Sequence, residues 1–178
     1  DCQIAWTEEP PRTQRCADVV EAIRQLVAHP EIDAAAVWCI GLALLAQGKT
    51  QAAMSRLDQA QRELLTLGQA QRAAQSQVPK VIALSMLGRH DEALVCGEQT
   101  RGDLLAAGDD IGAGKVEVNL GWMLMRRDRY EAAADCFRRA AVRLARAGEP
   151  TPSIAADIGL ASALTWQFEF DEASRLYD

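Results

Sequence analysis

A pattern of residue types returns along this chain at a constant distance. Alanine occupies positions 53, 93, 133 and 173, so the step is forty residues each time. Leucine follows the same step at 44, 84, 124 and 164, and glycine follows it at 68, 108 and 148. A fixed period in several columns is typical of a repeat array, whose units bury their apolar faces only against their neighbours.

The composition between these columns favours helices. Alanine and leucine dominate the sequence, and only 5% of the residues are aromatic. Alanine and straight-chain residues lose little side-chain freedom in a helix, whereas the β-branched residues, which are sparse here, lose more. We therefore predict an all-α chain in which each unit forms a helix A, a tight turn and a helix B.

The same columns set the predicted boundaries. Helices A are expected at 33–47, 73–87, 112–127 and 152–167, and helices B at 50–67, 90–107, 129–147 and from 170 onward. The glycines at 68, 108 and 148 follow helices B, where a helix end favours a left-handed residue. Val78 and Pro79 predict a kink or a late start in the second helix A.

The domain organisation follows from these helices. Pro10 and Pro11 predict an irregular lead-in over 1–15, because proline lacks the N–H that a regular helix uses. A helical stripe of apolar residues begins at Cys16 and stops before His29 and Pro30. We expect a single array over 16–178, made of a partial unit 16–30, then 33–72, 73–112 and 113–152, and a truncated unit 153–178.

The third unit carries the motif of a known family. Its residues, in order, are Asn119, Leu120, Gly121, Leu124, Tyr130, Ala133, Phe137 and Ala140. Their spacing resembles the tetratricopeptide repeat, and the resemblance covers about residues 33–178. The forty-residue period is similar to the longer-helix variety in kinesin light chains, in bacterial signal-transduction ATPase regulators and ahead of CHAT protease domains.

The resemblance implies a right-handed α-solenoid, a superhelix of antiparallel helix pairs whose A helices line the concave face. The second unit departs most from the motif, because Lys80 replaces a leucine, Val81 replaces a glycine and Gly97 replaces the aromatic residue. This departure puts the local groove geometry of that unit in question and leaves the repeat assignment intact.

Groups for catalysis or metal binding do not form a recognisable pattern. The only histidines, His29 and His90, are expected to cap or pack at helix ends. The five cysteines, at 2, 16, 39, 96 and 136, show neither CxxC nor Cys/His zinc spacing, and an odd number suits reduced thiols in the cytoplasm. We predict no enzymatic activity, no cofactor and no metal.

The charge and hydropathy of the chain limit its partners. A net charge of −6 argues against nucleic-acid binding, and the arginines between 126 and 146 suit a solvated helix surface. No apolar run approaches the roughly 20 residues of a membrane span, and no signal peptide is visible. Because the sequence lacks an initial Met and stops inside a helical pattern, we expect a fragment of a larger cytoplasmic protein of bacterial type.

A partner is expected on the concave face, on helix A residues that share one stripe. The candidate site residues are Trp38, Leu42, Lys115, Asn119, Trp122, Met125, Arg126 and Trp166. Tryptophan and methionine are typical anchors of interfaces. The alternative is that the tryptophan rings only fill the seam between consecutive A helices.

The resemblance adds a role for one of these residues. In the tetratricopeptide family, an asparagine at the place of Asn119 often hydrogen-bonds the backbone of a bound peptide. A clamp for the carboxylates of a chaperone tail needs basic residues on consecutive A helices. Only Lys115, Asn119 and Arg126 are available, so we exclude that ligand. The alternative for Asn119 is a polar residue bonded to water.

Three functions remain open at this point. The first is a module that binds a protein or peptide segment, including one from another domain of the same protein. The second is the regulatory array of an enzyme such as a CHAT-type cysteine protease, or of a signal-transduction ATPase or transcription regulator. Phe170 to Tyr177 is similar to arrays of the protease class. The third is self-association through the end units, whose apolar faces have no neighbouring repeat.

Overall fold

The computed structural model describes residues 10–148 and 150–177, and every regular element in these residues is an α-helix. Helices α1 to α8 have 16 or 17 residues each, and α9 has 8. The helices are α1 (Pro10–Leu26), α2 (Pro30–Ala46), α3 (Thr50–Thr66), α4 (Ala70–Met86), α5 (His90–Ala106), α6 (Asp110–Met125), α7 (Tyr130–Arg146), α8 (Pro150–Trp166) and α9 (Phe170–Tyr177). The even-numbered helices are the A helices, and α3, α5, α7 and α9 are the B helices.

Each helix from α2 to α8 is followed by a residue in the left-handed conformation. These residues are Gly48, Gly68, Gly88, Gly108, Asp128, Gly148 and Phe168, one every twenty positions. At the first turn, the Lys49 N–H donates to the Leu44 carbonyl (2.9 Å). The equivalent bond is accepted by Leu64, Leu84, Leu104, Leu124 and Leu164. These bonds pair helix-terminal carbonyls that lack an intrahelical partner, so each of these helices ends at an equivalent position.

The predicted helix pairs and the left-handed glycines at 68, 108 and 148 are confirmed. The A helices begin two or three residues before their predicted starts. Pro30 lies at the first position of α2, where its fixed φ suits a helix and no N–H is needed. The Asp109 carboxylate caps α6 by accepting from the Gly112 N–H at 2.7 Å. The predicted late start of the second helix A is wrong, because α4 runs from Ala70 through Pro79.

The structure corrects the irregular lead-in for residues 10–15, because α1 begins at Pro10. The first N–H groups of a helix have no intrahelical acceptor, so Pro10 and Pro11 occupy positions that tolerate proline. The rest of the predicted lead-in, 1–9, lies outside the described residues. His29, expected at a helix end, caps α2 by accepting from the Glu31 N–H at 3.3 Å.

The described chain divides into two compact units, one ending at Arg89 and one beginning at His90. The first unit contains α1 to α4. Its core cluster consists of Ala34, Val37, Trp38, Leu42, Leu57, Ala60, Leu64 and Ala73. Lys80, which interrupts the apolar pattern, lies 2.5 Å from the Asp58 carboxylate on α3. The departure at Lys80 is therefore accommodated by an ion pair.

In the second unit, Phe137 of α7 fills the space that two glycines leave. The Phe137 side chain is fully buried. A Cβ on Gly121 of α6 would lie 2.6 Å from the Phe137 ring, and one on Gly159 of α8 would lie 2.3 Å from it. Real Cβ atoms essentially never approach another heavy atom below 3.0 Å. Helices α6 and α8 can therefore approach α7 this closely only with glycine at both positions.

The glycine at position 97 has a matching compensation. Gly97 of α5 stands forty residues before Phe137, so this helix lacks the aromatic side chain of the motif. Leu120 of α6 fills the space instead, since a Cβ on Gly97 would lie 2.5 Å from its Cδ2. The departure of the second repeat from the motif is thus a change in which helix supplies the buried side chain.

Substituting Gly159 by alanine should test the contact with Phe137. We expect Gly159→Ala to lower the free energy of unfolding by about 1–3 kcal/mol, the usual effect of overpacking a core. The matched control is Gly102→Ala on α5, where no atom lies within 4 Å of the added Cβ. It should raise stability by about 0.5–1 kcal/mol, because glycine is unfavourable inside a helix. Urea denaturation followed by circular dichroism measures both, and similar changes in the two variants would contradict the packing.

Candidate partner-binding site

Helix α6 and its C-cap residue carry five of the eight predicted site residues. Lys115, Asn119, Trp122 and Arg126 follow one another at steps of four, three and four residues, which places them on one helix face. Lys115 and Arg126 are exposed, and Asn119 and Trp122 are half-buried. Met125, beside Trp122, is half-buried as well. We call these five residues the α6 stripe.

The opposite face of α6 packs into the second unit. Leu120 is fully buried and Leu124 nearly so, and Gly121 lies against the Phe137 ring. The residues that hold the helix in place are therefore separate from the α6 stripe. Lys115 and Arg126, the exposed residues of the stripe, do not take part in the core packing.

Trp122 lies at the border between the two faces. Its ring meets Phe137 edge to face, with ring centroids 5.2 Å apart and planes inclined at 70°. This is a favoured aromatic geometry. The contact fixes the orientation of Trp122 while the side chain stays half-exposed. A partner would meet a ring that is already positioned.

Trp166 lies at the end of α8, the neighbouring A helix, which contacts α6. Its side chain is 61% exposed. The ring stacks on Tyr130 at the start of α7, with centroids 5.5 Å apart and planes inclined at 10°. The Tyr130 hydroxyl donates to the Asp128 carboxylate, and this bond raises the pKa of Tyr130. The stacked pair therefore has a fixed position beside the C-terminal end of α6.

A buried carboxylate anchors α6 from its packed side. Glu117 is fully buried and accepts a hydrogen bond from Arg139 Nε of α7 at 3.2 Å. Arg143 Nε lies 3.3 Å from its other oxygen without the alignment of a hydrogen bond, and Arg101 of α5 lies 3.9 Å away. A buried carboxylate needs such compensation. Three guanidinium groups thus tie α6 to both flanking B helices.

The side chains of the described residues do not form a metal centre. No group of three or more His, Cys, Asp or Glu in the described part of the chain could hold a metal ion. Burial raises the pKa of the Cys136 thiol, although the nearby Arg139 opposes this effect. The nucleophilic thiolate is therefore disfavoured at neutral pH. Within the same residues, no helix is long and apolar enough to cross a bilayer.

The family comparison places a match within the predicted third unit, 113–152. Residues 118–147 match the family model of the tetratricopeptide repeat. The chain contains a tetratricopeptide repeat. A comparison with curated protein sequences gives no significant match. The matched residues run from the second half of α6 to the end of α7, so this tetratricopeptide repeat includes both Trp122 and its contact with Phe137.

Solved structures share the fold of this chain, and two of them are of TPR-like repeats. The crystal structure of BtubC (BKLC) from P. vanneervenii aligns with a TM-score of 0.77 at 12% identity, over 98% of this chain and 73% of that one. The nearly identical TPR-like repeats of a Podosopora anserina protein assigned as a kinesin light chain align with a TM-score of 0.67 at 18% identity, over 99% and 88%. A variant of that protein aligns with a TM-score of 0.68 at 18% identity, over 99% and 87%. These alignments confirm the predicted all-α, tetratricopeptide-like solenoid fold.

The structure separates the eight predicted site residues into two groups. Trp38 and Leu42 of α2 lie in the core of the first unit, with 9% and 1% of their surfaces exposed. Trp38 is therefore a packing residue in this structure, as in the alternative in which the rings only fill the space between helices. The other six residues lie in the second unit, as the α6 stripe and Trp166.

Two features of the site were missed by the sequence reasoning. Tyr130 was identified only as a residue of the repeat motif, and its stack on Trp166 was not expected. The signal was the step of thirty-six residues between them, which places a helix B start beside the end of the next helix A. Glu117 was missed because its partners lie on two other helices. The one signal in the sequence was the presence of an acidic residue within an otherwise apolar A helix.

Replacing Glu117 should destabilise the tetratricopeptide repeat and its neighbours. We expect Glu117→Gln to lower the free energy of unfolding by about 1–3 kcal/mol, the range for a lost hydrogen bond to a charged group. The matched control is Asp110→Asn, which removes a pair with Arg143 at 2.6 Å whose carboxylate is 60% exposed. That change should be below about 1 kcal/mol. An equal or larger loss in Asp110→Asn, measured by urea denaturation, would contradict the role of Glu117.

Proposed function

We propose that this chain is a non-enzymatic protein-interaction module that binds a peptide or helical segment on the α6 stripe and Trp166. The observation that carries the proposal is the division of α6 into a packed face and an accessible face. The accessible face presents Asn119 and Trp122 between two exposed basic residues, Lys115 and Arg126. Aromatic residues with fixed orientation and arginine are the side chains that dominate binding energy at interfaces.

The chemistry of the stripe suggests how a segment would be held. The Asn119 amide offers one acceptor and two donor hydrogens, which match the carbonyl and N–H of an extended backbone. Trp122 and Met125 offer apolar surface for a side chain of the partner. Lys115 and Arg126 lie eleven residues apart along the helix axis, so they would attract carboxylates at the two ends of a bound segment.

The occupant that we propose is a protein segment, either from another protein or from a further domain of the same polypeptide, in the cytoplasm. The tetratricopeptide repeat supports a scaffold role in general. The specific surface rests on the geometry of α6 and α8. A role as the regulatory array of a protease or ATPase uses the same surface with an intramolecular occupant, so it is a special case of this proposal.

Peptides selected on this chain should depend on the accessible face. We expect peptides from a phage-displayed random library, selected on the immobilised chain, to lose at least about tenfold in affinity with Asn119→Ala or Trp166→Ala, the loss of about 1.4 kcal/mol for one good contact. Neither side chain is part of the buried core, so circular dichroism should stay unchanged.

The matched control is Val142→Ala on α7, a half-exposed apolar residue outside the stripe. It should bind the selected peptides as the parent chain does. Peptides whose affinity drops with Val142→Ala and not with the stripe variants would place the binding surface on the B helices and overturn the proposal.

A further inference from the structure

We draw no further inference here: the strongest candidate, the exposed apolar stripe of Val19, Ile23 and Leu26 on α1, is a helix face of the first unit, and nothing in the described part of the structure shows what covers it.

Discussion

The structure depends on a left-handed turn that recurs every twenty residues. Each turn pairs the carbonyl of a leucine near the helix end with an N–H beyond it, as at Leu44 and Leu164. Because the turns are evenly spaced, A and B helices have nearly the same length. Equal helices repeat their side chains in register. The Phe137 side chain can therefore pack against a glycine on the A helix of its own pair and against another on the A helix of the next pair. The forty-residue period in the sequence is two of these turns.

Local patterns made most of the fold predictable. The leucine and glycine columns lie within a few residues of the turns that they cap, so the helix pairs and their ends could be derived without a structure. The errors came from helix starts. Pro10 and Pro11 were taken to forbid a helix that they in fact begin. Pro79 was taken to kink α4 or delay its start, and α4 starts at Ala70. Proline is compatible with a first turn, and tertiary packing can hold it inside a helix.

The candidate site was less predictable, because burial depends on distant parts of the chain. Trp38 and Trp122 lie on the same predicted stripe of helix A, one helical turn apart in the repeat pattern, yet Trp38 is 9% exposed in the core of the first unit and Trp122 is half-buried. The pattern of a single helix cannot distinguish them, since the neighbours that cover Trp38 lie on other helices. Glu117 shows the same limit, because its arginine partners lie sixteen or more residues away in the sequence. The sequence predicted which residues share a face, and tertiary packing decided which face stays accessible.

We propose that the tryptophan buried in the first unit and those that bind a partner are different residues. The most direct measurement is a titration of the isotope-labelled chain with a selected peptide, in which the indole N–H resonances are followed by two-dimensional NMR. We expect saturable shifts for Trp122 and Trp166, while the resonance of Trp38, buried in the first unit, stays in place. A peptide that binds and moves Trp38 while leaving Trp122 and Trp166 unchanged would contradict it.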